Sequence, residues 1–290
     1  MSAKVKIACI QMSYKKNYEK TIKVTENLFV QACKKNAKII CFQELFHSDY
    51  FCQSIDEVNF SKAVSIPGEL TQMFCALAKK FQVVVILPVF ERRLEGLYSN
   101  SAAVINHEGK ILDVYRKIHI PDDPCFYEKY YFSEGESGYK VFDTKYGKIA
   151  VLICWDQWFP EAARIVSLMG AQAIFYPTAI GIIKGEEKSS KKFCDAWKTI
   201  QRASAIANGV YVAAVNRTGE EGNLKFWGNS FICDPFGEVV TEGKSNKDEI
   251  LYADLDYDAI AKTRHMWPFL RDRRVDTYKD IISKALARKN

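Results

Sequence analysis

The stretch GKIAVLICWD, residues 147–156, is an apolar run of strand length that opens on a glycine and closes at Cys154 before Trp155 and Asp156. Near the start of the chain, VKIACIQM (residues 5–12) has the same form, and the tripeptide KIA recurs at Lys6 and Lys148. Working outward from each copy gives the same series of elements. After residues 5–12 come a helical pattern over about 17–35, the strand AKIICFQEL (37–45), a helix after the turn IPGEL with Thr71 as its cap, and the strand VVVILPVF (83–90). The hairpin NSAAVINHEGKILDVYRK (100–117) follows, with its polar turn between Asn106 and Gly109. After residues 147–156 come a helix opened by Pro160, the strand AQAIFYPTA (171–179), a helix ending near Asn208 and Gly209, the strand in NGVYVAAVNR and the pair in NSFICDPFGEVV. The dipeptide NS begins the last pair of both series, at Asn100 and Asn229.

Six elements in matching order point to duplication of one β-α-β-α-β-β unit. Strands separated by helices form a mostly parallel or mixed sheet with helices on one face, and two such halves bury their bare faces against each other. The expected fold is therefore α/β, a four-layer α-β-β-α sandwich. No Ser/Pro/Gly-rich linker divides the halves, and SEGESGY (133–139) is short, so residues 1–290 read as one domain with halves at about 1–135 and 140–260. The segment 261–290 contains WPFLRDRR and ends in a Lys/Arg-rich helical pattern, which suggests an oligomerisation tail.

A chain of 290 residues, 48% hydrophobic and 13% aromatic, is long enough to bury a large core. Its 41 basic and 35 acidic residues leave +6, spread through the sequence rather than gathered in an arm, which argues against nucleic-acid or membrane partners. The opening MSAKVKIACIQM has no targeting pattern, and the longest apolar runs fall far short of a membrane span. Nine scattered cysteines without a CxxC pair suggest reduced thiols and a cytoplasmic protein. Four histidines without ligand spacing give no reason to expect a metal, and no cofactor motif stands out.

Ligands of open α/β sheets bind beyond the carboxyl ends of strands, so residues there are the first candidates. Glu44 closes one strand, Lys117 the hairpin and Cys154 the strand quoted first. A helix starting near Pro160 would lower the pKa of a thiol just ahead of it. Taken singly, Glu44 and Lys117 read equally well as solvated strand ends. With a thiol they supply a proton carrier and a cation for a developing oxyanion. A Cys/His pair using His119, on the same strand face as Lys117, is the competing arrangement.

FQELF around Glu44, YRKIHIP around Lys117, CWDQWFPEAAR from Cys154 and FYPTAIG from Phe175 resemble, in order and over nearly the whole chain, the nitrilase superfamily. Within it, YFCQ, IPDDPCFYEKYYF, YPTAIG and FLRDRR with Tyr278 look like N-carbamoylputrescine amidases. The resemblance implies an amidohydrolase with Cys154 as nucleophile, Glu44 as general base and acid, and Lys117 with the Trp155 backbone N–H as oxyanion donors. It also makes Glu128 a second glutamate beside the site, puts Tyr176 and Thr178 near the substrate, and implies a homodimer or larger homo-oligomer. The sequence departs from the family pattern at Asp123 and Cys125, where glycines are usual, and at HSD (47–49). The implied substrate is a small carbamoyl or amide compound. If it is N-carbamoylputrescine, its ammonium needs an acid, with Asp122 first among Asp122, Asp123, Glu186 and Glu187. A carbamoyl amino acid, β-ureido acid or ω-amide would instead need a cation such as Arg202 or Lys184, and a non-catalytic binding subunit would need none of the set.

Overall fold

The computed structural model describes residues 4–286. Its first series is β1 (Val5–Gln11), α1 (Tyr18–Lys34), β2 (Ile39–Phe42), α2 (Glu69–Phe81), β3 (Val84–Leu94), β4 (Leu97–Ile105) and β5 (Ile111–Arg116). A short helix α3 (Glu128–Tyr131) and strand β6 (Val141–Thr144) lead to the second series. That series is β7 (Gly147–Val151), α4 (Pro160–Leu168), β8 (Ala173–Thr178), β9 (Gly181–Ile183), α5 (Glu187–Asn208), β10 (Tyr211–Asn216), β11 (Thr218–Glu221), β12 (Leu224–Trp227), β13 (Phe231–Cys233) and β14 (Val239–Glu242). Strand β15 (Glu249–Leu255) and helix α6 (Tyr257–Met266) follow.

Both sheets have the order that duplication demands. One runs β15-β1-β2-β3-β4-β5 and the other β14-β13-β10-β8-β7-β6. In each, three parallel strands (β1, β2, β3; β7, β8, β10) continue into two antiparallel ones. The period-2 alternation of strands sorts their side chains. Ile7, Cys9, Ile39 and Cys41 enter the core shared with the second sheet, whereas Ala8, Ile10, Ile40 and Phe42 pack on the helical side. Strand β1 lies against β10 and β2 against β8, so the sheet faces meet as an α-β-β-α sandwich. The helices obey the same logic: α1 buries Thr21, Thr25, Phe29 and Ala32 along one stripe, and the Asn17 side chain accepts from the Lys20 N–H at its start.

Several details differ from the sequence reading. Thr71 is not the first cap of α2; Gly68 is, and the Thr71 hydroxyl accepts from the Gly68 N–H at 2.8 Å from inside the first turn. Strand β15 falls inside residues 140–260 yet pairs antiparallel with β1, crossing into the first sheet. A separate small sheet, β11-β12-β9, was not foreseen. After α6 the tail forms two 3-10 turns, Val275–Thr277 and Lys279–Ile282, rather than a continuing helix through residue 286. Residues 287–290 of that helical pattern, and residues 1–3 of the opening, lie outside the described residues. No helix among those described is long and apolar enough to cross a membrane.

Gly109 turns the β4–β5 hairpin at φ +79°, and a Cβ there would sit 2.3 Å from the Cys75 carbonyl oxygen of α2. Gly96 turns the β3–β4 hairpin at φ +82° with open space around it. Both substitutions to alanine carry strain of about 1 kcal/mol, but Gly109→Ala adds a backbone clash and should lose at least about 1 kcal/mol more than Gly96→Ala. Urea unfolding of the two variants measures the difference.

Candidate active site

Glu44 lies two residues past β2, Lys117 directly past β5 and Cys154 three past β7, so strand ends from both halves meet at one edge of the sandwich. Lys117 is wholly buried. Its ammonium donates to Glu44 Oε1 at 2.8 Å and to Glu128 Oε2 at 2.6 Å. Glu44, also buried, accepts a second bond on Oε1 from Asn100 Nδ2 at 2.7 Å, while its Oε2 has no hydrogen-bond partner among the described residues. Glu128 is buried beside them rather than in a surface pair with Lys129, and its Oε1 accepts from the Tyr50 hydroxyl at 2.7 Å.

Burial sets the protonation of this group. Removal from water pushes the Glu128 carboxyl up from 4.5 to about 7, against the pull of Lys117 and with the repulsion of Glu44. Burial disfavours the Lys117 charge, yet Glu128 and Glu44 outweigh it and hold the ammonium well above its ordinary pKa. The Cys154 thiol shows the opposite of what its sequence setting suggested. It is 5% exposed, and burial, reinforced by Glu44 and opposed by Lys117, drives its pKa well above normal. The short 3-10 helix Cys154–Trp158 intervenes before α4, so a helix start does not dominate the thiol, and a thiol held in this way would need a base to act as a nucleophile.

Cys154 stands at φ +44°, in the left-handed region uncommon for a residue with a Cβ. Asp156 fixes that turn. Its Oδ2 accepts from the Ile153 N–H at 2.9 Å and the Tyr115 hydroxyl at 2.7 Å, and its Oδ1 accepts from the His119 N–H at 3.0 Å. His119 Nδ1 lies 2.7 Å from the same Oδ1, and the ring stacks on Phe159 at 3.7 Å. The structure thus commits His119 to Asp156. Asp156 itself carried no sequence signal beyond its place in CWDQ.

A cleft of about 500 Å³ opens onto Cys154, Trp155 and Glu128. Its walls are apolar, with Trp158, Ile180, Ile182, Phe193 and Trp227 prominent. The other ionisable carboxyls along it are Asp123 and Glu186, and among the described residues no lysine or arginine lines it. Asp122 does not line the cleft, one residue away from Asp123, nor do Glu187, Lys184 or Arg202. Tyr176 and Thr178 also fall away from it. Tyr176 is wholly enclosed in the core beside Ser204, and the Thr178 hydroxyl donates to the Tyr176 carbonyl at 2.9 Å. Both sit on β8, whose residues are all buried, and neither lines the cleft. Among the described residues no group of three or more His, Cys, Asp or Glu side chains could hold a metal ion.

Fold and site define a cysteine-bearing hydrolase of the nitrilase kind. The chain belongs to the carbon-nitrogen hydrolase family, whose profile matches residues 6–265. It is 42% identical over 288 residues to an N-carbamoylputrescine amidase of Solanum lycopersicum, covering 96% of this chain and 95% of that protein. A citrullinase of Francisella tularensis is 40% identical, with 97% and 99% covered. The crystal structure of a carbon-nitrogen hydrolase from Helicobacter pylori G27 superposes with a TM-score of 0.94 at 43% identity, over 98% of this chain and 100% of that one.

The raised Glu128 pKa has a stability consequence of definite sign. Between pH 4.5 and about 7 the unfolded chain has lost this proton while the folded one keeps it, so stability present below 4.5 is lost as pH rises through 7. Glu128→Gln should remove that decline, seen as a flatter dependence of urea-unfolding stability on pH than wild type shows.

Proposed function

We propose that this carbon-nitrogen hydrolase cleaves the carbamoyl group of a small amine, N-carbamoylputrescine being the substrate its cleft favours. The observation that carries this reading is the charge of the cleft: apolar walls suited to a four-carbon chain, carboxyls at Asp123 and Glu186 suited to a terminal ammonium, and no lining cation for a carboxylate. The plant relatives named N-carbamoylputrescine amidase support it. The free Glu44 Oε2 takes the Cys154 proton as sulfur attacks the carbamoyl carbon. Lys117, with two of its three N–H bonds committed to carboxylates, offers the third to the oxyanion together with the Trp155 backbone N–H. Glu44 returns the proton to the departing nitrogen as the C–N bond breaks, leaving an S-acyl enzyme. Water then adds to the acyl carbon, giving its proton to Glu44, which passes it to sulfur as the C–S bond breaks. The remaining carbamic acid separates into CO2 and ammonia, so the sum is N-carbamoylputrescine plus water to putrescine, CO2 and ammonia. Glu128 positions Lys117. The place of action is the cytoplasm, a reading supported by nine free cysteines.

Ammonia release from a panel of N-carbamoylputrescine, citrulline, a β-ureido acid and an ω-amide tests the assignment. Wild type should favour the carbamoyl diamine, Cys154→Ala should release nothing, and Lys117→Ala should lose about 10²- to 10³-fold in turnover. Asp123→Asn with Glu186→Gln should raise KM for the diamine about tenfold, and Asp122→Asn should leave it unchanged. Equal rates on the β-ureido acid, or an unchanged KM in the double variant, would overturn the substrate.

The enzyme also assembles as a homodimer or larger homo-oligomer in this reading. Support comes from α4 and the tail, where Ile165, Leu168, Trp267, Phe269, Ile281 and Ile282 are exposed. Light scattering should give at least twice the chain mass of 33.2 kDa, and a monomer mass would end this part of the reading.

A further inference from the structure

Arg217 holds a buried charge that the reaction scheme leaves unused. It lies between β10 and β11, wholly enclosed. Its Nη2 donates to three backbone carbonyl oxygens of the segment after β2: Leu45 at 2.7 Å, Ser48 at 3.0 Å and Glu44 at 3.3 Å. Its Nη1 donates to Glu221 Oε1 at 2.7 Å. The second oxygen of Glu221 accepts from the Tyr50 N–H at 2.7 Å, and the Tyr50 hydroxyl donates to Glu128. Since Lys117 joins Glu128 to the Glu44 side chain, these contacts close a ring that begins at the Glu44 backbone and returns to its carboxyl.

The segment so gripped is not at rest by itself. Leu45, next to Glu44, stands at φ +50°, a left-handed conformation that a leucine adopts only when its surroundings impose it. A guanidinium is suited to impose it, because its planar fork reaches several acceptors at fixed angles; an ammonium on a flexible stem does not. Through β11 the grip also joins the small sheet whose β9 strand supplies Gly181, Ile182 and Ile183 to the cleft wall.

We infer that Arg217, held by Glu221, is a positioning residue that aims the Glu44 carboxyl at the thiol. The inference rests on the reading of Glu44 as proton carrier. Proton transfer depends steeply on geometry, and a displacement near 1 Å costs about 10²-fold. Three variants test the inference by steady-state ammonia release over a range of pH, with folding checked by circular dichroism. Arg217→Lys keeps the charge and loses the fork. Arg217→Met with Glu221→Gln removes both charges so that neither is left unpaired. Glu221→Gln alone leaves the Arg217 charge unpaired but keeps an amide oxygen as its acceptor, at a side chain that is 11% exposed, so the charge-free double variant is the one that should fold where the others fail.

Expected are a fall in kcat of about 10²-fold for the Arg217 variants and about tenfold for Glu221→Gln, KM within about threefold of wild type, and a displaced acid limb of the kcat profile. A folded variant with kcat within about threefold of wild type, or a loss carried by KM with the acid limb unmoved, would overturn it. Glu44→Gln is measured alongside. If that variant alone keeps its turnover, Glu44 is not the proton carrier and the reaction scheme falls, whereas an inactive Glu44→Gln beside fully active Arg217 and Glu221 variants removes only the positioning role.

Discussion

The Lys117 ammonium, bonded to two carboxyls and cut off from water, is the contact on which the rest of the site depends. Taking three ionisable groups out of water costs several kcal/mol for each charge, and their mutual attraction offsets this only with good geometry. Removing one partner of such a group typically destabilises by about 3–5 kcal/mol, because a charge is left unpaired. The arrangement is therefore poor economy as a device for stability. Its presence makes sense for chemistry, where a cation already fixed in a dry site need not reorganise when negative charge develops beside it.

Duplication explains how the groups come together. Glu44 and Lys117 lie past β2 and β5 of the first series, and Cys154 lies past β7 of the second. Two sheets packed face to face place both sets of strand ends on one edge, a placement no single unit could provide. The halves are then tied across that edge. Strand β15 completes the first sheet from the far end of the chain, and Arg217 of the second half holds the carbonyls beside Glu44 of the first. Cys154 and Glu44, the proposed nucleophile and base, are thus carried on different halves, with their relation fixed by long-range contacts.

That division also decides what could be read in the sequence. Strands β1, β2, β3, β7, β8 and β10 are apolar runs bounded by turn residues, and they were legible with their order. The sheet β11-β12-β9 was not, since TGEE and GII are short and carry neither alternation nor a long apolar run. Glu44, Lys117 and Cys154 stood out by place, whereas Glu128 was visible only through the family resemblance, being flanked by an ordinary-looking lysine. Arg217 meets partners some 170 positions away, which no local pattern encodes. The setting of Cys154 before Pro160 suggested a lowered pKa because sequence shows neighbours and not burial. Asp122 was preferred over Asp123 for its place in IPD, and only the three-dimensional turn tells which of two adjacent carboxyls lies on the cleft. At Cys125, where the sequence resemblance leads one to expect a glycine, the residue adopts φ +64°, a conformation glycine takes without strain.

A buried thiol held in its protonated form fits a carboxylate base better than a histidine pair. If Cys154 were a thiolate at rest, the dry pocket would hold a further negative charge beside Glu44 and Glu128, whose repulsion adds to the burial that raises its pKa. In the proposed reaction the proton stays on sulfur until attack, so negative charge is moved rather than created: from Glu44 to sulfur, and from sulfur to the oxygen of the tetrahedral state. Each of those positions lies within the field of Lys117. A neutral histidine acting as base would instead become a second cation, and here His119 is held on Asp156, which shapes the turn that carries Cys154. The carboxyl-ammonium-thiol set thus keeps its net charge constant through the proton transfer, which is the condition under which a site sealed from water can do ionic chemistry without first being rehydrated.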